Sequence, residues 1–232
     1  MSVSVKGLNV AFGEKKIFED FDFEFDENKI TCILGKSGIG KSTLLNALAN
    51  LIPYDGDIEC EKTSYIFQED RLVPNLSVEK NLELVLRKII KDKAERKAKV
   101  KEMLEKVELS GEEKSLKKEL SGGMAQRANM ARAFLYPSEV LLLDEPFKGL
   151  DPSMKGRLIK TFLRLYEAEK KTVIFVTHAI DEALLLADKV VIVKDSPVRV
   201  DEIIEIGIPK EKRVLSDDSL AKIRKKLLDS YE

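Results

Sequence analysis

The spacing of apolar positions changes along the chain, and the changes mark its elements. Val3 to Val10 alternates loosely and predicts a strand, Phe12-Gly13 a turn, and Ile17 to Phe25 a second strand. Within that strand Phe21-Asp22-Phe23-Glu24-Phe25 alternates strictly, so one face is buried and the other wet. Ile30-Thr31-Cys32-Ile33-Leu34, Val140-Leu141-Leu142-Leu143 and Thr172-Val173-Ile174-Phe175-Val176 are continuous runs, as expected of strands covered on both faces. Ser64-Tyr65-Ile66-Phe67 reads as a shorter core strand. Lys41 to about Leu51 predicts a helix, and Pro53-Tyr54-Asp55-Gly56 a turn. From Asn81 to Glu108 the apolar residues Leu82, Val85, Leu86, Ile89, Ile90, Val100, Met103, Leu104 and Val107 recur by threes and fours, behind an N-cap at Ser77. Another helix runs through Phe134 to Pro137, and Asp151-Pro152 opens the next. Asp181 to Leu186 (helix), Lys189 to Val193 and Ile203 to Ile206 (strands), and Asp218 to Leu228 (amphipathic helix) complete the pattern. It predicts an α/β core formed by residues 1–67 and 138–232, interrupted by a helical segment, 68–137.

Composition narrows the function. At 232 residues, 44% of them apolar, the chain is long enough for one large domain or two small ones. Charged residues make up 35% but cancel to −1, so no global field attracts nucleic acid. Between Arg87 and Lys106 basic residues outnumber acidic ones nine to four, yet no aromatics interleave, which suits a solvated helix surface. Two cysteines without a C-x-x-C suit a reducing cytosol. No apolar segment ahead of a cleavage site is evident, and the apolar runs are too short to span a bilayer. Work at a membrane would need a partner there.

The chemistry concentrates at the ends of the predicted core strands. Gly35-Lys36-Ser37-Gly38-Ile39-Gly40-Lys41-Ser42-Thr43 fits G-x-x-x-x-G-K-[ST] at every fixed position, between a strand and a helix. Glycines and serines let the backbone curl its N–H groups towards an anion, and the helix N-terminus adds more. In such a loop Lys41 reaches the β- and γ-phosphates of a nucleotide and the Ser42 hydroxyl sits on Mg²⁺. Asp144-Glu145 follows a buried strand, and alternation sends the two carboxylates in different directions. One can hold a metal-bound water beside Ser42 while the other polarises an attacking water. His178, the only histidine, closes another core strand at the same sheet edge, where function outweighs a structural role. Gln68 also closes a strand, as a ligand contact or as a polar cap. Leu120-Ser121-Gly122-Gly123-Met124-Ala125-Gln126-Arg127 opens a helix with Ser and Gly, a second anion-seeking N-terminus or simply a cap. Phe12 has two readings as well, a core residue or a ring stacked on adenine.

Together these residues resemble the ATP-binding cassette of ABC transporters over essentially the whole chain. The resemblance implies a P-loop NTPase core of the RecA-like type, with an antiparallel β subdomain and an inserted α-helical subdomain (the ABC ATPase fold). The phosphate loop looks like Walker A, and Val140 to Glu145 like Walker B and its catalytic glutamate. Leu120 to Gln126 resembles the family signature, Gly149-Leu150-Asp151 the D-loop, His178 the switch histidine and Phe12 the adenine-stacking aromatic. Gln68 falls at the Q-loop, beside the nucleotide and its metal; Ser42 and Asp144 are the other metal contacts the resemblance implies. It further implies ATP and Mg²⁺ as ligands and a dimer formed on ATP binding, in which each signature faces the partner's nucleotide. A membrane permease would be contacted through residues around 69–77, with a solute-binding protein outside the membrane and this subunit on the cytoplasmic face.

Gln68-Glu69-Asp70-Arg71-Leu72-Val73-Pro74, Ser121 to Arg127 and Asp144-Glu145-Pro146-Phe147 look like the nitrate/sulfonate/taurine importer group. Asn75 stands where that group has an aromatic, and Asn28-Lys29 where a glycine is usual; Asn tolerates the left-handed backbone of such a turn. The short stretch between Thr43 and Gln68 implies a trimmed antiparallel β region. A soluble ABC-type ATPase acting on nucleic acid or ribosomes would carry a long coiled coil or a second cassette. A nucleotide-dependent interaction protein would be expected to lack Glu145 or His178.

Overall fold

The periodic segments fold as strands and helices in a computed structural model that describes residues 3–231. In chain order the elements are β1 (Val3–Phe12), β2 (Lys15–Phe25), β3 (Ile30–Leu34), α1 (Lys41–Leu48), β4 (Asp55–Glu59), β5 (Thr63–Ile66), α2 (Val78–Leu84), α3 (Lys93–Lys106) and α4 (Gly122–Leu135). Then follow β6 (Val140–Asp144), α5 (Pro152–Ala168), β7 (Thr172–Thr177), α6 (Ile180–Leu186), β8 (Lys189–Lys194), β9 (Arg199–Glu205) and α7 (Asp218–Tyr231). Contacts divide them into two units. The first holds the residues up to Thr63, Glu139–Glu145 and those from Lys171 on; the second holds Ser64–Ser138 and Pro146–Lys170.

In the first unit β6, β7, β3 and β8 pair in that order, all parallel, and β9 adds an antiparallel edge. Every residue of β3 and β7 is buried, the physical meaning of their unbroken apolar runs. Leu34 pairs with Thr177 and Asp144 with Val176, so three strands end level at one edge. Asn28, in the turn before β3, has φ 55°, the left-handed conformation that Asn tolerates, and its N–H donates to Thr172 Oγ1 at 3.0 Å. The small antiparallel sheet has the order β2-β1-β4 and buries Phe18, Phe21 and Phe25. Its third strand begins at Asp55-Gly56, where turn residues predict a turn. Gly56, at φ 107°, is needed because a Cβ there would stand 2.3 Å from the Gly7 carbonyl oxygen of β1. Arg213 ties the C-terminal segment down: buried, it donates to the carbonyls of Leu184, Ala187, Ile206 and Ile208.

The second unit packs α2 to α5. The periodic stretch from Asn81 to Glu108 is two helices, not one. The chain turns after Leu84, and Asp92 caps α3 by accepting from the Glu95 N–H at 2.7 Å. Arg96 of α3 bonds Glu83 of α2 at 2.9 Å and the carbonyls of Ile90 and Lys91, closing that turn. α5 belongs with these helices because its apolar face is buried there: the Phe162 ring meets Phe134 of α4 edge to face at 6.0 Å.

Candidate functional site

The loop from β3 to α1 is shaped by glycines, and at Gly35 and Gly40 there is no room for a Cβ. Gly38 has φ 78° and Gly40 φ 125°. A Cβ on Gly40 would lie 2.5 Å from Ile17 Cγ2, and one on Gly35 would lie 2.8 Å from Val193 Cγ2 and 2.9 Å from the Val193 carbonyl. Lys36, Ser37 and Gly38 are exposed, Ile39 and Thr43 half-buried. The N-terminus of α1 receives no side-chain cap, which leaves its amides for a ligand. Lys41 is only 6% exposed, and its Nζ donates to the carbonyls of Gly35 at 2.7 Å and Lys36 at 2.9 Å. The ammonium is thus held inside the curl of the loop.

Beside this loop the two carboxylates at the end of β6 diverge. The Ser42 hydroxyl donates to Asp144 Oδ1 at 2.9 Å. The Glu145 N–H bonds the Val176 carbonyl at 3.0 Å, one step beyond the β6–β7 ladder, and Glu145 takes φ 43°. That left-handed conformation is costly for a residue with a side chain and is typical of sites where function holds it. Glu145 is buried, and its Oε1 lies 3.2 Å from Nδ1 of the exposed His178. An ionised carboxylate only accepts, so against ionised Glu145 the Nδ1 nitrogen carries the proton.

Ser42 and Asp144 present hard oxygen donors side by side, the kind Mg²⁺ takes. Among the described residues no group of three or more His, Cys, Asp or Glu side chains converges on a metal position. Mg²⁺ does not require one, since it is held by one or two protein oxygens together with substrate phosphates and water. The donor set therefore fits.

The other predicted residues, Phe12 excepted, lie in the second unit. Ser121 caps α4, its Oγ accepting from the Met124 N–H at 3.3 Å. Gly123 lies against α5: a Cβ there would meet Met154 Sδ at 2.7 Å. Ser121, Gly123, Met124, Arg127, Met154 and Arg157 line a recess of about 170 Å³. Leu120, Gly122 and Gln126 flank it in sequence, and Ala125 is buried. Asp151 caps α5, with Oδ1 accepting from Ser153 and Met154 N–H groups at 2.9 and 3.0 Å. Gln68 is exposed, and its carbonyl accepts from Gln126 Nε2 at 3.3 Å. Phe12 ends β1 in the first unit at 55% exposure, so it is no core residue.

Three features were not singled out by the pattern. Asn81, fully buried in α2, accepts from the Val73 N–H and donates to the carbonyls of Val73, Leu76 and Ser77, fixing the segment ahead of it. Arg132 of α4 donates to the carbonyls of Asp70 and Arg71. Tyr231 of α7, with Lys194 and Asp195, lines a cavity of about 170 Å³ against Gly35, Lys36 and Ile39. Burial and the Glu145 charge push the Tyr231 phenol up. An Asn inside an apolar helical run was the available signal for the first; α7 offered none for the last.

Parallel strands ending in a phosphate loop, a carboxylate pair and a histidine define a P-loop nucleotide-binding protein. The family model described as ABC transporter matches residues 18–148, more than half of the chain, and the chain belongs to that family. It is 41% identical to the aliphatic sulfonates import ATP-binding protein SsuB of Bacillus cereus, covering 100% of this chain and 96% of that one. It is 37% identical to the protein of the same name from Bacillus subtilis, covering 100% and 95%. Among solved structures it resembles an ATP-binding cassette in a dimeric post-hydrolysis state bound to ADP and Pi, at TM-score 0.76 and 25% identity, covering 88% of this chain and 98% of that one. A dimeric bacterial ABC transporter cassette matches at the same TM-score with 26% identity and the same coverage.

Proposed function

We propose that this chain is the ATPase subunit of an importer for aliphatic sulfonates, working as a head-to-tail dimer under a separate membrane permease. The observation that carries the ATPase reading is the arrangement at one sheet edge: Lys41 inside its loop, Ser42 on Asp144, and Glu145 beside His178. ABC transporter ATP-binding subunits bind and hydrolyse ATP, and this chain keeps each of those groups. The solute class rests on the names of the relatives, and it narrows the nitrate/sulfonate/taurine group to its sulfonate members.

Each group has a task. Lys41 exchanges its two loop carbonyls for β- and γ-phosphate oxygens, and the backbone from Gly35 to Thr43 cradles the phosphates. Ser42 and Asp144, with Gln68 joining them, would hold Mg²⁺, which neutralises phosphate charge when bound. Glu145 takes the proton of the attacking water. His178 donates Nδ1–H to Glu145 and keeps it aimed. Phe12 stacks on adenine, Leu120 to Gln126 serve the partner's nucleotide, and Asp151 of the D-loop caps α5. The RecA-like core and the helical subdomain divide these tasks.

The segment from Glu69 to Ser77 exposes Val73, Pro74 and Asn75 while Asn81 holds its backbone, which suits a fixed contact to the permease. No helix among the described residues is long and apolar enough to cross a membrane. The reading places the subunit on the cytoplasmic face, fed by a solute-binding protein on the other side.

The test is Glu145→Gln in proteoliposomes with the permease. ATP binding is retained, while ATP turnover and ethanesulfonate uptake fall about 10²–10⁴-fold, the worth of a positioned base. Turnover near that of the wild type overturns the catalytic assignment. Uptake of nitrate in preference to ethanesulfonate by the wild type overturns the solute assignment.

A further inference from the structure

The turn that carries His178 is held by a buried pair that the nucleotide chemistry does not use. Thr177 ends β7 at 1% exposure, and Glu182 lies on α6 at 3%. The Thr177 hydroxyl donates to Glu182 Oε2 at 2.7 Å. Its oxygen in turn accepts from the Ala179 N–H at 3.0 Å. These two bonds bracket residue 178, one from the residue before it and one from the residue after it. Ala179, the cap residue ahead of α6, has no side chain that can cap the helix, so the usual restraint on a strand-to-helix turn is missing and the hydroxyl supplies another. On the far side of the turn, His178 Nδ1 meets Glu145 Oε1 at 3.2 Å, and Glu145 is itself tied to β7 through the Val176 carbonyl. A buried carboxylate costs free energy unless its contacts are made, so Glu182 in this place demands a use.

We infer that Glu182 is a positioning residue for hydrolysis: through Thr177 it fixes the turn that aims His178 at Glu145. The chain of contacts runs from carboxylate to hydroxyl to backbone to imidazole to the base. Glu182 touches neither substrate nor metal in this scheme. Its carboxylate orients the Thr177 hydroxyl proton away from the turn, which leaves the hydroxyl lone pair free for the Ala179 N–H. Without Glu182 that hydroxyl turns to other acceptors, and the imidazole is no longer held in one place. The inference rests on the roles given above to Glu145 and His178.

The experiment is a double-mutant cycle on steady-state ATP hydrolysis by the complete transporter complex. Thr177→Val and Glu182→Ala should each lower kcat about 10–100-fold, the cost of misplacing a catalytic group by around an ångström, with KM for ATP nearly unchanged. Thr177→Ser, which keeps the hydroxyl, should retain most of the activity. In a His178→Ala background, Glu182→Ala should cost nothing further, because the group it aims is gone. A merely structural role would instead lower the melting temperature, shift KM with kcat and add its loss to that of His178→Ala, and that result overturns the inference. Unchanged kcat in His178→Ala alone points elsewhere, to failure of the histidine's proposed role. Should Glu182→Ala not fold, Thr177→Val against Thr177→Ser decides: equal kcat in the two overturns the assignment.

Discussion

Gly40 and Gly156 show how one residue type takes opposite meanings in this chain. Gly40 holds φ 125°, and its Cα faces Ile17 so closely that a Cβ would sit 2.5 Å from Cγ2. Gly156, inside α5, has ordinary helical backbone, and a Cβ there would meet nothing within 4 Å. Gly40→Ala therefore meets both strain and collision. Strain of about 1–3 kcal/mol carried by the loop lowers ATP affinity roughly 5- to 150-fold, which a calorimetric titration reads directly. Wild-type affinity would show that the loop binds phosphate in some other conformation. Gly156→Ala should stabilise the protein by about 0.5–1 kcal/mol, since glycine in a helix interior loses the most backbone entropy on folding. A urea midpoint below that of the wild type would mean that the position is not open. The motif fixes where the first glycine stands; only the folded backbone distinguishes it from the second.

The turn between α2 and α3 is where pattern and structure part, and its lesson is physical. Leu86 in the turn is as buried as its helical neighbours, so apolar spacing runs through the break without a signal. Asp92 was the available mark, a cap residue followed three positions on by Glu95. β4 was hidden for the converse reason: Asp55 and Gly56 are turn residues used in a strand because the backbones must approach there. β3, β6, β7 and β8 were legible because burial on both faces leaves an unmistakable apolar run, and the site residues because each closes such a run or opens a helix. Contacts that act through backbone carbonyls, such as those of Arg132 and Arg213, have no sequence period and were not legible. Arg96 is the brace that makes the α2–α3 turn work. Its hydrogen bond holds the Glu83 carboxyl below the usual carboxylate range. The stabilisation is accordingly complete above the carboxyl's unfolded titration range and is lost as pH falls through the lowered folded value. Arg96→Met leaves Glu83 buried without that partner and should destabilise the protein by about 3 kcal/mol at neutral pH. Acidification, by protonating Glu83, should then recover part of the difference between variant and wild type. A variant whose deficit is the same at acidic and neutral pH would show that the pair contributes nothing through its charge.

At the scale of the whole molecule the chain has one phosphate loop and two anion-seeking helix starts, α1 and α4. A single nucleotide needs only one of them. The head-to-tail C₂ dimer proposed above would use both at each of two equivalent sites; the two cassettes this chain resembles were solved as dimers. Two variants test it: Lys41→Ala, which removes the loop's ammonium, and Ser121→Arg, which puts bulk and charge at the start of α4. Each alone should be inactive, because every site in its homodimer carries one lesion. In a mixed dimer one site carries both lesions and the other carries neither. Random exchange at equal concentrations makes about half of the dimers mixed, so up to a quarter of the sites become intact and ATPase activity should return. If the two sites must fire together, activity stays absent, and a crosslink decides instead. Cys60, half-buried, is first replaced by serine; Cys32 is buried in β3 and can stay. Cysteines placed at Ser42 and Gly122 should then join two chains when ATP is present and the Glu145→Gln change prevents turnover. A product of doubled mass on a denaturing gel is the expected outcome. A bond formed only within one chain would show that α4 serves its own nucleotide, and the head-to-tail dimer would have to be abandoned.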